Sequence, residues 1–259
     1  MKCLLSAVAA ALTLAALPTL THAEEAKAWS VNLGAVSDYR YRGISQTRLK
    51  PALQGGADYA LASGFYVGTW LSTIRWIKDW GSGSGVDTGG ANLEWDLYAG
   101  HKGELGHGLS YDVGVLAYLY PGNHYGRLPG ATNANTTELY GALSFGVATV
   151  KYSHAVTHLF GTGNSKGSGY LEAAASFDLG GGFSVTPHVG HQRVAHNGDY
   201  SYTDYALTAA KDFDGLVLSV AFVGADTKSI AGAPAYASPV DTAKDLGKFG
   251  VVLGLKKTF

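Results

Sequence analysis

The chain has 259 residues, room for one large β domain or two small ones. Charged residues make up 15% of it, against about 25% in ordinary soluble domains, while glycine reaches 36 copies and tyrosine 16. A formal net charge of -1 leaves no basic surface for nucleic acid or acidic lipid, and a mean hydropathy near zero is too low for a helical membrane protein. Low charge, abundant glycine and aromatics, and neutral hydropathy fit a protein that is apolar outside and polar inside.

Met1-Lys2 gives a short positive start, residues 4–20 an apolar run, and Thr21-His22-Ala23 a small-residue cleavage site. This predicts a secretory signal peptide over residues 1–23, cut after Ala23, rather than an anchor, for which the run is too short and alanine-rich. Cys3 lies inside it, so the mature chain, residues 24–259, has no cysteine, no disulfide framework and no thiolate metal site. The rest is read as one outer-membrane β-barrel domain.

From residue 29 the pattern has a period of two. Trp29, Val31, Leu33, Ala35, Ser37, Tyr39 and Tyr41 share one face; Ser30, Asn32, Gly34, Asp38, Arg40 and Arg42 share the other. A polar loop to Pro51 precedes strands at 52–61 and 65–74, joined by a tight turn at Ser63-Gly64. Trp76, Trp80 and the Gly/Ser run to Gly90 read as a long loop. Leu93, Trp95, Leu97 and Ala99 then oppose Glu94, Asp96, Tyr98 and Gly100, and a short turn near Gly103 to Gly108 leads to a return strand from Leu109 that ends near Tyr120. Hairpins follow about Val147, Gly181 and Asp214, and the last strand runs over residues 247–259. Pro187 sits inside a predicted strand and, lacking an N–H, implies a bulge or a misplaced boundary. No helix-period segment of useful length is expected after residue 24.

Twelve strands result, and their connections alternate. Short links fall near Ser63, Gly103, Val147, Gly181 and Asp214; long ones at 43–51, 75–91, 121–135, 160–168, 195–201 and 224–246. Outer-membrane barrels have short periplasmic turns, long external loops and an even strand number. Hydrocarbon offers no partner to a backbone group, so the sheet must close on itself. The expected fold is all-β, a closed antiparallel transmembrane barrel of twelve strands. A terminal strand ending in an aromatic residue resembles the closing strand of bacterial outer-membrane barrels, in which the final Phe, here Phe259, is the signal read by the assembly machinery.

Several segments carry a family resemblance. They are V-S-D-Y-R-Y-R-G-I-S-Q-T at 36–47, K-P-A-L-Q-G-G at 50–56, G-F-Y-V-G-T-W at 64–70, E-W-D-L-Y at 94–98 and Y-D-V-G-V at 111–115. T-E-L-Y at 137–140, S-K-G-S-G-Y at 165–170 and Y-T-D-Y at 202–205 continue it. In order and over nearly the whole mature chain these resemble the TorF family of porin-like proteins. The resemblance implies a proteobacterial outer-membrane barrel and leaves the substrate open.

With the apolar register against lipid, the other register lines the lumen: Asp38, Arg40, Arg42, Asp58, Glu94, Asp96, Asp112, Glu138, Lys151, Glu172, His188, Gln192 and Asp204. Acids outnumber bases in this set, so a permeating solute meets a mildly cation-favouring field. The same groups could instead pair with one another and wedge the interior shut. Trp29, Tyr39, Tyr41, Trp95, Tyr111, Tyr152 and Phe259 are expected in aromatic belts on the lipid face.

A catalytic reading finds little support. His154 and His158 share a strand face but stand about 13 Å apart, too far to chelate one ion, and no histidine is followed two places on by serine, as barrel hydrolases require. No metal, cofactor or nucleic-acid partner is expected. The expected function is a narrow, passive channel for small hydrophilic solutes or ions, with outer-membrane lipid and the assembly machinery as partners. A non-conducting barrel with a structural, adhesive or sensing role is the alternative.

Overall fold

A computed structural model describes residues 28–259; the expected signal peptide lies outside the described residues. Twelve antiparallel strands follow one another: β1 (Trp29–Val36), β2 (Ala52–Ala60), β3 (Phe65–Thr73), β4 (Leu93–Gly106), β5 (Leu109–Leu119) and β6 (Thr136–Phe145) form the first half. The second half is β7 (Ala148–Ala155), β8 (Gly169–Ala175, continued by Phe177–Gly180), β9 (Phe183–Arg193), β10 (Tyr202–Phe213), β11 (Leu216–Asp226) and β12 (Gly250–Thr258). Each strand pairs with its neighbours in sequence, and β12 pairs with β1 from Asn32↔Thr258 to Val36↔Gly254, which closes the ring. Phe259 extends that seam, its N–H donating to the Val31 carbonyl at 2.9 Å. Among the described residues the barrel wall itself leaves no free strand edge.

The two faces separate as period two requires. Leu97, Leu139, Val150, Leu171, Leu207, Phe222 and Leu253 point outward, between 39% and 57% exposed. A continuous apolar surface of this extent has no place in water; around a closed barrel it is the lipid-facing band of a membrane-spanning protein of the outer-membrane type. Trp29, Trp95, Tyr152 and Phe259 lie exposed on this face.

Five short connections gather at one end of the barrel and six long ones at the other. His107-Gly108, Gly181-Gly182 and Asp214-Gly215 each place two consecutive residues at positive φ. That is the type I′ geometry whose twist matches the flanking strands, and glycine takes its second position without strain.

Three features differ from the sequence reading. β1 ends at Val36, and residues 37–51 leave the wall and fold into the lumen, so Tyr39 and Tyr41, expected against lipid, are buried inside. Residues Trp76–Ser84 form a helix, α1, on the long-loop end, with Ile77 fully buried and Gly85 at φ 71 closing it. Its Gly and Ser content hid it, since both are weak helix formers that packing overrides. At Pro187 there is neither a bulge nor a boundary: register passes from Ala174↔His188 to Phe177↔Val185 without a shift. β8 lapses only at Ser176, where the proline has no N–H to donate.

Candidate functional site: the lumen and the loop across it

Alternation decides which side chains reach the lumen, and strand tilt decides their depth. Directly opposed residues form one row across the wall: Lys102↔Asp112, Asp112↔Ala142, Ala142↔Lys151, Lys151↔Glu172, Glu172↔Gly190 and Gly190↔Asp204. The row begins near the short turns and ends near the long loops. A second row runs Lys256↔Gly34, Gly34↔Gln54, Gln54↔Ser72 and Ser72↔Glu94. Both rise from a lysine at the turn end to a carboxylate at the loop end.

At the turn end, inward tyrosines lie over inward glycines of the next strand. Tyr66 faces Gly100, Tyr98 faces Gly68 and Tyr140 faces Gly114. Tyr98 donates to Asp58 Oδ1 at 2.5 Å and Tyr66 to Asp112 Oδ1 at 2.5 Å, while Tyr66 and Tyr140 hydroxyls meet. Lys102 and Lys256 are the inward cations at the start of the two rows. Lys151 Nζ stands 4.7 Å above the Tyr140 ring and 3.9 Å from Glu172 Oε1, its side chain 32% exposed.

The loop end is filled by residues 37–50, whose tip is a two-residue ladder of Arg40–Tyr41 against Ile44–Ser45. Asp38 accepts from Arg40 Nε and from Ser45 Oγ, and Arg40 Nη1 donates to the carbonyls of Gly43, Leu246 and Lys248 at 2.9–3.1 Å. Tyr39 donates to Glu94 at 2.7 Å, and Tyr120 donates to the other Glu94 oxygen at 3.2 Å. Tyr41 donates to Tyr118 at 2.8 Å, and Tyr118 donates to Glu138 at 3.2 Å. Gly43 turns at φ 80 against the far wall, where a Cβ would stand 2.7 Å from Asp204 Cβ.

Arg42 is held most closely. Its guanidinium donates to both Glu138 oxygens at 3.0 and 2.7 Å and to Gln192 Oε1 at 2.6 Å. It lies 4.1 Å from the Tyr170 ring centroid and 4.8 Å from that of Tyr41, and its side chain is 7% exposed. Beside it, His188 stands 3.1 Å from Glu172 Oε2 and 3.5 Å from Asp204 Oδ2. Asp96 is 6% exposed, and its Oδ1 has no hydrogen-bond partner.

Asp58, Glu94, Asp96, Asp112, Glu138, Lys151, Glu172, His188, Gln192 and Asp204 therefore sit on the inner face of the wall. Asp38, Arg40 and Arg42 are inside too, on the loop rather than on a strand. Sequence reasoning passed over Lys102, Lys256 and the inward tyrosines. Lys102 shares the parity of Glu94 and Asp96 on β4, and that signal could have found it. Outside the membrane, a cap is built on α1 and the long loops. There burial raises the pKa of Asp79, opposed by Arg48 at 3.4 Å; the Gly89 amide and the Arg127 guanidinium lower that of Asp87.

The model of a family described as a bacterial protein of unknown function (Gcw_chp) matches residues 21–259. The chain belongs to that family. No curated protein matches its sequence. Solved structures share the fold at low identity. The KdgM porin aligns with a TM-score of 0.54 at 8% identity, over 89% of this chain and 99% of its own. KdgM in complex with disordered oligogalacturonate gives 0.54 at 7%, over the same shares. The NanC porin gives 0.53 at 10%, over 90% and 99%. At such identities the likeness is one of fold.

Proposed function

We propose that the protein is a porin-like channel of the bacterial outer membrane that lets small hydrophilic solutes or ions diffuse passively, and that residues 37–50 set its narrowest point. One observation carries the reading: inside a closed apolar-coated barrel, a lining of carboxylates hydrogen-bonded to tyrosine hydroxyls, with lysines between them, runs from the turn end to the loop end. A purely structural barrel of about eight strands fills its interior with side chains, whereas twelve strands leave more room. The acid excess at the loop end favours cations there. The likeness to the TorF family and the porin folds support the channel class. Asp38, Arg40, Arg42 and the inward wall residues are its proposed lining, and Phe259, at the β1–β12 seam, its proposed assembly signal.

The test is planar-bilayer conductance of purified protein. Single insertions giving small, cation-preferring steps are expected. Absence of current at either polarity overturns the channel, and anion preference overturns the role given to the carboxylates. The second reading, a non-conducting barrel, is favoured by the close packing of residues 37–50 across the loop end.

A further inference from the structure

Arg42 is bound by the wall in the way a ligand is bound. Its carboxylate partner Glu138 comes from β6, its amide partner Gln192 from β9, and the ring under it, Tyr170, from β8. A fork of two N–H donors on both oxygens of one carboxylate, with an aromatic face above it, is the geometry that selects guanidinium over a simple ammonium.

These wall groups are held in place without the loop. Gln192 Nε2 donates to the carbonyls of Gly169 and Arg193 at 3.1 and 3.2 Å, which turns Oε1 into the lumen. Tyr170 is fixed by its hydroxyl on Asp204 at 2.9 Å, and Glu138 by the Tyr118 hydroxyl. Only Tyr41, the second ring, belongs to the loop.

Withdrawing Arg42 would leave Glu138 as a buried carboxylate without a cation, a state strongly disfavoured inside a protein. Asp96, with an oxygen already lacking a partner, deepens the deficit of positive charge nearby. The vacated wall requires a cation of the same shape.

We propose that Glu138, Gln192 and Tyr170 form a recognition site for the guanidinium group of small basic solutes, which Arg42 occupies while the loop is seated. The proposal rests on the channel reading for its physiological sense. A solute carrying a guanidinium competes with Arg42, takes the site, and leaves the loop without its main anchor on this wall. Loop release and solute capture are then one exchange.

The binding itself is tested without current. The full-length barrel carrying Arg42→Ala is folded in detergent, and the temperature at which it loses its folded gel mobility is compared with wild type. The substitution is expected to lower that temperature by several degrees. Millimolar methylguanidinium is expected to restore most of the loss; tetramethylammonium, which cannot donate a fork of hydrogen bonds, is not. In Arg42→Ala/Glu138→Gln the recovery is expected to vanish. Absence of recovery in the single variant, equal recovery with tetramethylammonium, or recovery that survives the loss of the carboxylate overturns the site. Arg42→Gln, which keeps a polar side chain, replaces the alanine variant if that one does not fold, and Arg127→Ala, on the cap, controls for loss of any arginine.

Current separates this inference from the one beneath it. In bilayers, methylguanidinium added on the loop side is expected to raise the open fraction of the wild-type channel saturably, and to have no such effect on Arg42→Ala, whose loop is already loosened. Silence of both proteins with thermal recovery intact removes the channel and leaves the site. Current in both, with no thermal recovery, removes the site and leaves the channel.

Discussion

The two ends of the lumen are built from the same strands and solve different problems. At the turn end, Lys102, Lys151 and Lys256 alternate with Asp58 and Asp112, and tyrosines lie flat over glycines so that the walls stay clear. At the loop end, Glu94, Asp96, Glu138 and Asp204 are all at least nine-tenths buried, and the arginine that pairs with Glu138, Arg42, arrives on a loop. The lysines of the turn end belong to the wall itself, whereas the guanidinium that answers Glu138 comes from outside the wall. Electrostatics therefore ties the loop end to its loop, whereas the turn end stands on its own.

The largest effect should come from breaking the buried pair. Glu138→Ala strands Arg42 in the packed end and is expected to cost about 3–5 kcal/mol, as for other buried pairs that lose one partner. Urea unfolding into and out of lipid vesicles measures it, and a cost below about 1 kcal/mol would mean that water already reaches this site.

The glycine floor of the turn end is the next most sensitive feature. A Cβ at Gly114 would stand 2.5 Å from the Tyr140 hydroxyl and 2.6 Å from the Ala99 carbonyl, whereas one at Gly141 meets nothing nearer than 3.8 Å. Gly114→Ala is expected to cost about 1–3 kcal/mol, as overpacking does, and Gly141→Ala less than about 0.5 kcal/mol. The same unfolding assay compares them; equal costs would remove the tyrosine-over-glycine contact from the account.

A smaller effect is expected from Lys151→Ala. Its contact with Glu172 is long, 3.9 Å, and the side chain is one-third exposed, so the loss should be about 0–1 kcal/mol. A cost approaching that of Glu138→Ala would erase the distinction between the two ends.

The smallest effect is on the cap, where two carboxylates respond to acid in opposite senses. Asp79 has its pKa raised by burial, so its ionised form opposes the docking of α1 and that penalty is relieved as pH falls through the raised value. Asp87 has its pKa lowered, chiefly by the Gly89 amide; its support is complete above the ordinary aspartate value of 3.8 and disappears as pH falls through its own lower one. Carboxyl resonances of labelled aspartate should place Asp79 above and Asp87 below 3.8. The reverse order would mean that the cap does not bury Asp79.

The barrel was legible because its determinants are local. Period-two alternation in Leu93, Trp95 and Leu97 marks the lipid face, and Asp214-Gly215 marks a turn through its backbone requirements alone. The loop in the lumen was not legible for the converse reason. Residues 38–42 continue the alternation of β1 without a break, so Tyr39 and Tyr41 read as the lipid side of a strand. Whether such a stretch stays on the wall or folds inward depends on Glu94, Tyr118, Glu138 and Gln192, residues distant in sequence. The inner wall set followed from parity; that Arg42 would bridge to two strands at once did not.

The position of Arg40 has a consequence for the order in which the protein folds. Its guanidinium is fastened to the carbonyls of Leu246 and Lys248, more than two hundred residues away, on the segment that leads into the last strand. Contacts of such sequence separation form late, after the intervening chain has found its place. The segment at 37–50 is made early and cannot seat until β12 has zipped onto β1. Refolding into vesicles should accordingly pass through a closed but unsealed barrel, with vesicle leakage rising as strands pair and falling in a later, separate phase as Arg40 finds its carbonyls.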